Sequence, residues 1–121
     1  MSTQAVIAII DDDESVLAAT QSLVRSLGFR AMCFGSADAF IASKPGRDAA
    51  CIVSDIHMPG LDGLGLLEVL RRDGRKPPII FMTAYPQSAV VARALAGGAI
   101  AVLSKPFDAA CLAHHLGHAL S

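Results

Sequence analysis

The sequence predicts a doubly wound α/β domain, and three observations predict it. Five short apolar runs rich in Ile, Val, Leu and Ala alternate with five stretches whose apolar residues recur at helical spacing, and Gly and Pro punctuate the joins. Strands separated by whole helices return parallel, because a parallel pair needs a crossover, and the helices then cover both faces of the sheet. The chain has 121 residues, 53% of them hydrophobic, which is enough for one buried core and too little for two. A single (βα)5 domain over residues 1–121 is expected, with strand order 2-1-3-4-5.

Each element has its own signal. Ala5 to Ile10 is an apolar, largely β-branched run cut off by Asp11, Asp12, Asp13 and Glu14, a buried strand ending in carboxylates. From Ser15 to Leu27, Val16, Ala19, Leu23 and Leu27 repeat at helical spacing before Gly28. Phe29 to Phe34 has strand length, and Ser36 is placed to cap a short helix through Ile41 that stops near Lys44-Pro45-Gly46. Ala50 to Ser54 reads as the third strand and Leu64 to Arg72 as the third helix, with Asp62 as its cap. Pro77-Pro78 bars helix, so Ile79 to Met82 is the fourth strand. Gln87 to Ala96 then reads as a helix closed by Gly97-Gly98. Ile100 to Leu103 is the fifth strand, and Asp108 to Leu120 the last helix, with Leu112, Leu116 and Leu120 on one stripe. Met58 and Met82 read as core fillers, and Asp13 and Glu14 as solvated or first-turn charges.

Composition excludes several classes of function. The 10 basic and 11 acidic residues nearly balance, with no basic run or aromatic-basic interleaving, so this chain has no electrostatic footprint for nucleic acid. No apolar run approaches membrane-spanning length and no leader pattern opens the chain, which predicts a cytoplasmic location. Cys33, Cys51 and Cys111 are widely separated in apolar surroundings and suit reduced core thiols. His114, His115 and His118 have helical spacings that could bind zinc, but a solvated or partner-facing helix is the plainer reading.

The chemistry lies at the strand ends. In an open α/β sheet, ligands bind beyond the carboxyl ends of the strands. There the first strand delivers Asp11 and Asp12, the third Asp55, the fourth Thr83 and the fifth Lys105. Clustered carboxylates repel one another, and hard oxygen ligands suit Mg²⁺, which usually keeps waters and a substrate phosphate beside one or two carboxylates. An ammonium and a hydroxyl suit phosphoryl oxygens, and a carboxylate is a competent phosphoryl acceptor. Asp55, alone on the central strand and followed by Pro59, Gly60 and Gly63, is the acid placed to be the nucleophile.

These residues, Asp11-Asp12, Asp55-Ile-His-Met-Pro-Gly, Thr83-Ala84 and Lys105-Pro106-Phe107, in this order and spacing, resemble the receiver domains of two-component response regulators. The resemblance covers nearly the whole chain. It implies that Asp55 takes a phosphoryl group from a sensor histidine kinase or phosphotransfer protein, with Thr83 and Lys105 assisting. It further implies Mg²⁺ held by Asp12, Asp55 and the backbone carbonyl of His57, with Asp11 acting mainly through water, and a cis Lys105-Pro106 peptide. Such a domain catalyses its own phosphorylation and slow dephosphorylation and is not a conventional enzyme. Gly28-Phe29 and the stretch from Phe34 to Phe40 resemble receivers of the LuxR-type, nitrogen-fixation regulator class. In that class a DNA-binding output domain follows the receiver, and the expected role is transcription regulation. The end of the chain just after its last helix fits either a free-standing receiver or part of a longer regulator, and the second is the expectation here.

One position departs from the family pattern. Where receivers often carry Tyr or Phe three residues before the lysine, this chain has Val102. The face made by the fourth helix, fifth strand and fifth helix, where a homodimer is expected, must then respond through smaller repacking or through another ring, such as Tyr85. Tyr85 and His57 each follow a site residue by two and are expected at the mouth of the crevice, where Tyr85 would obstruct water. Two other classes remain open from the sequence: a phosphorylation-independent interaction module, which usually betrays itself by losing an acid or the lysine, and an aspartyl-nucleophile phosphatase, which needs a second acid where His57 stands.

Overall fold

The computed structural model describes residues 5–74, 77–87 and 89–120. Five strands, β1 (Val6–Ile10), β2 (Arg30–Phe34), β3 (Cys51–Asp55), β4 (Ile79–Thr83) and β5 (Ala101–Ser104), form one parallel sheet in the expected order 2-1-3-4-5. Among the described residues the helices are α1 (Glu14–Ser26), α2 (Ala37–Ala42), α3 (Lys44–Arg47), α4 (Gly63–Arg72), α5 (Ala89–Ala96) and α6 (Ala109–Ala119). None is long and apolar enough to cross a membrane.

The helix α3 corrects the sequence expectation. Lys44-Pro45-Gly46, read as a stop, is itself one helical turn, capped by the Ser43 hydroxyl, which accepts from the Gly46 N–H at 3.1 Å. Proline fits because the first helical turn leaves its N–H groups without helical partners in any case. The other boundaries move by one or two residues, each for a local reason. Ladder pairing continues through Asp55 opposite Met82 and through Thr83 opposite Ser104, so these residues belong to their strands. Side chains outside the helices set the starts: Asp13, Ser36, Asp62 and Asp108 accept from N–H groups of the first turns of α1, α2, α4 and α6. Asp13 is therefore an exposed cap, solvated as one of the two readings has it, and not a first-turn residue. Gln87 lies in the turn before α5, and Ser88, which the expected helix included, lies outside the described residues.

Strand alternation sends consecutive side chains to opposite faces, which makes two cores. Ile7, Ile9, Val53, Ile80, Met82 and Leu103 meet Val24 of α1 and Leu112 and Leu116 of α6. Ala8, Ile10, Ile52 and Phe81 meet Phe40 of α2, Leu66 and Leu70 of α4 and Ala94 of α5. Every residue of β3 and β4 is buried, as continuous apolar runs in a doubly covered sheet require. Met58 and Met82 are core residues as expected. The three cysteines are free thiols; Cys51 is buried, and burial pushes its thiol up to about 12, while Cys33 and Cys111 are only half-buried.

The turn from β3 into α4 depends on a close approach. A Cβ at Gly63 would lie 2.7 Å from Phe81 Cε1 and 2.9 Å from the backbone Cα of Ile56. At Gly117, on the exposed side of α6, it would meet nothing within 4 Å. Gly63→Ala should therefore cost about 1–3 kcal/mol of stability through overpacking, whereas Gly117→Ala should gain up to about 0.5–1 kcal/mol. Urea unfolding midpoints of the two variants against the parent check the opposite signs.

Candidate functional site

The carboxyl ends of β1, β3, β4 and β5 meet at one rim. Each parallel pair holds its neighbours level: Ile10 pairs with Ser54, so the next residues along, Asp11 and Asp55, emerge side by side. Asp11 and Asp55 are buried, while Asp12, one residue on, is exposed. One carboxylate oxygen from each of Asp11, Asp12 and Asp55 lies within 4.8 Å of the others. This is the acidic cluster that the strand ends predict.

Lys105 faces the cluster from the end of β5. Its Nζ lies 3.0 Å from Asp11 Oδ2, to which it donates, and 3.4 Å from Asp55 Oδ2. The remaining oxygens are held by backbone. The Asp13 N–H donates to Asp11 Oδ1 at 2.9 Å, and the His57 N–H donates to Asp55 Oδ1 at 3.3 Å. Asp13 thus serves twice, its side chain capping α1 and its N–H fixing Asp11. The sequence signal for it is the capping pattern, an Asp placed directly before a helical repeat.

Electrostatics follow from burial and proximity. Burial raises the Asp55 carboxyl above its ordinary value; the Lys105 charge opposes this, and the nearby Asp11 adds to the rise. Burial works to lower the Lys105 ammonium, but the hydrogen bond to Asp11 and the charges of Asp55 and Asp11 outweigh it and leave it above its ordinary value.

Thr83 is fully buried at the end of β4, beside this group, and its Oγ1 accepts from the Tyr85 N–H at 2.9 Å. The Lys105 N–H donates to the Thr83 carbonyl at 2.8 Å, which ties the ends of β4 and β5 together. Lys105-Pro106 is cis. The rings of His57 and Tyr85 meet edge to face, centroids 5.5 Å apart and planes at 78°, although Tyr85 is 65% exposed. Both were expected at the crevice mouth; their contact was not, because it joins two loops that the sequence keeps apart. Val102 is half-buried against the core shared with α5.

The donor set fits a hard divalent cation. Three carboxylates cluster with one ammonium that reaches two of them, an excess of negative charge in oxygen ligands that suits Mg²⁺ better than a thiophilic metal. The same set, with a hydroxyl and an ammonium alongside, can bind and accept a phosphoryl group.

Comparison with known proteins agrees with this geometry. The model of the response regulator receiver domain family matches residues 7–117. The chain is 39% identical over 104 residues to the response regulator protein TmoT of Ectopseudomonas mendocina, covering 86% of this chain and 47% of that protein. It is 37% identical over 108 residues to the transcriptional regulatory protein FixJ of Bradyrhizobium diazoefficiens, covering 89% of this chain and 53% of that one. The chain therefore spans about half the length of these relatives. The receiver domain of a sensor histidine kinase from Pseudomonas aeruginosa PAO1, solved with a magnesium ion coordinated in its active-site cleft, superposes with a TM-score of 0.86. That match has 26% identity and covers 98% of both chains. Receiver domains are signalling switches that bind Mg²⁺ at an acidic site and interact with histidine kinases. With the sheet order, the acidic rim and a family match over most of its length in agreement, this chain belongs to the response regulator receiver domains of two-component systems.

Proposed function

We propose that residues 1–121 form one phosphoacceptor receiver domain that acts in the cytoplasm, with Asp55 as the residue phosphorylated by a sensor histidine kinase or phosphotransfer protein. The observation that carries this reading is the approach of Lys105 Nζ to both Asp11 and Asp55 at the rim. One side chain there can hold the nucleophile in place and later neutralise a phosphoryl oxygen. In the transfer, an Asp55 carboxylate oxygen forms the new P–O bond as the bond from phosphorus to the donor imidazole nitrogen breaks, and that nitrogen keeps the electron pair. Lys105 and the Thr83 hydroxyl bind the oxygens of the moving group, where charge accumulates. Asp12, Asp55 and the His57 backbone carbonyl would hold Mg²⁺, with Asp11 contributing through water. The ion supplies neutralisation of the negative charge that the acids and the phosphoryl group bring together. The chain turns over no separate substrate in this reading, and its output is a change in a partner.

For output we propose the face formed by α5, β5 and α6, as a homodimer surface. Leu95 of α5 is 47% exposed, and Val102 of β5 is only half-buried. The resemblance to FixJ supports a role in transcription regulation, exercised through a DNA-binding segment outside this chain.

Three outcomes test the reading. Mg²⁺ at a hundredfold excess over its Kd should stabilise the fold by about 2.7 kcal/mol, seen as a raised thermal midpoint, and Asp12→Asn should remove most of the gain. An unchanged midpoint in the parent would count against the metal site. Incubation with a small phosphodonor and Mg²⁺ should add one phosphoryl group to the parent and none to Asp55→Asn, read by intact mass; labelling of that variant would move the acceptor elsewhere. In this reading the Tyr85 ring, which packs edge to face on His57 two residues beyond Asp55, obstructs the in-line approach of water, and the phosphorylated parent should decay slowly. Tyr85→Ala should shorten the phosphoryl lifetime severalfold, and equal decay rates would show that the ring is no obstruction.

A further inference from the structure

Three of the four histidines in this chain fall within five residues of α6, and the acidic rim uses none of them. The helix α6 contains no Asp, Glu, Lys or Arg, so apart from Cys111 and Gly117 its exposed flank carries imidazoles among alanines. At 3.6 residues per turn, His114, His115 and His118 lie within a sector of about 100°. Leu112 and Leu116, which enter the core, occupy the other side. His114 and His118 are four apart and His115 and His118 three apart, the spacings at which helical side chains are neighbours.

The rings of His114 and His115 already meet, with centroids 5.1 Å apart and planes at 77°. Two imidazoles bound to one tetrahedral ion through Zn–N bonds of about 2.0–2.1 Å have their ring centres roughly 5 Å apart, the separation found here. A helical side chain leans over the turn N-terminal to its own Cα, which directs His118 back over the other two. The site also lies in the C-terminal half of α6, with His118 in the last turn, where the helix dipole favours a cation.

We propose that His114, His115 and His118 form a binding site for a borderline transition-metal dication of the Zn²⁺ class, with water in the remaining position. Neutral imidazole suits such ions, whereas Mg²⁺ prefers the oxygen ligands of the rim, so the two sites divide the metals by ligand chemistry. Among the described residues only Asp11, Asp12 and Asp55 form a group of three whose ligand atoms all lie within 4.8 Å of one another. In this proposal the imidazole site closes by rotation of the rings, with His118 exchanging its present interaction for the ion, and the exposure of His114 and His118 keeps that movement clear of the core.

Calorimetric titration of the full chain with Zn²⁺, at saturating Mg²⁺ to occupy the acidic rim, tests the assignment. The parent should bind one Zn²⁺ per chain. Losing a partner of a metal ligand already costs about 10–100-fold in affinity, so losing a ligand should cost at least as much in His118→Gln and in His114→Gln. Far-UV circular dichroism should show both variants folded, and Cys111→Ser should bind as the parent does. Absence of binding in the parent overturns the proposal. So does affinity unchanged from the parent's in both histidine variants, and so does loss of binding in Cys111→Ser, which would move the site to the thiol. Loss confined to Asp55→Asn would assign the ion to the acidic rim and overturn it equally. None of these outcomes bears on phosphorylation of Asp55.

Discussion

The ammonium of Lys105 between two buried carboxylates is the interaction on which the rim depends. Asp11 and Asp55 bring like charges to within 4.8 Å. At an effective dielectric constant of about 20, unit charges roughly 5 Å apart repel by roughly 3 kcal/mol. Lys105, at 3.0 and 3.4 Å from the two acids, supplies two attractions against that one repulsion but leaves the group net negative, and the exposed Asp12 adds to that excess. A rim built this way is held together yet still short of positive charge. That condition favours both a divalent cation and a group whose negative charge Lys105 can meet.

Much of this arrangement is legible in the sequence, because covalent adjacency does most of the placing. Asp11, Asp55, Thr83 and Lys105 each stand at or just beyond the last residue of an apolar run, and a parallel sheet aligns such ends without further information. What is not legible depends on contacts between segments distant in the chain. The ring contact of His57 with Tyr85 joins the loops after β3 and β4. The different burial of Asp11 and Asp12 follows from where the backbone leaves the sheet, which two adjacent identical residues cannot reveal. The α3 turn hides behind Pro45 and Gly46, residues that end helices more often than they begin them.

In the proposed switch, with Val102 in place of an aromatic residue, the rim would reach α5 through the backbone. The Thr83 hydroxyl accepts from the Tyr85 N–H, so a displacement of Thr83 draws directly on the loop that leads into α5. Tyr85, mostly exposed and held on one side by His57, is the ring most free to follow. Such a route from the strand end to the helix would need no residue to swing through the core.

The pairing of β1 with β3 also has a kinetic meaning. Asp11 and Asp55 are far apart in sequence and become neighbours only when that long-range pairing closes, so their mutual repulsion is absent from the unfolded chain and from its early, locally structured forms. Interactions that arise after the folding barrier act chiefly on the rate of unfolding. Where that pairing closes after the barrier, the acidic rim weighs less on how fast the native state is reached than on how long it lasts, and the ion proposed for the rim would prolong the life of the folded molecule.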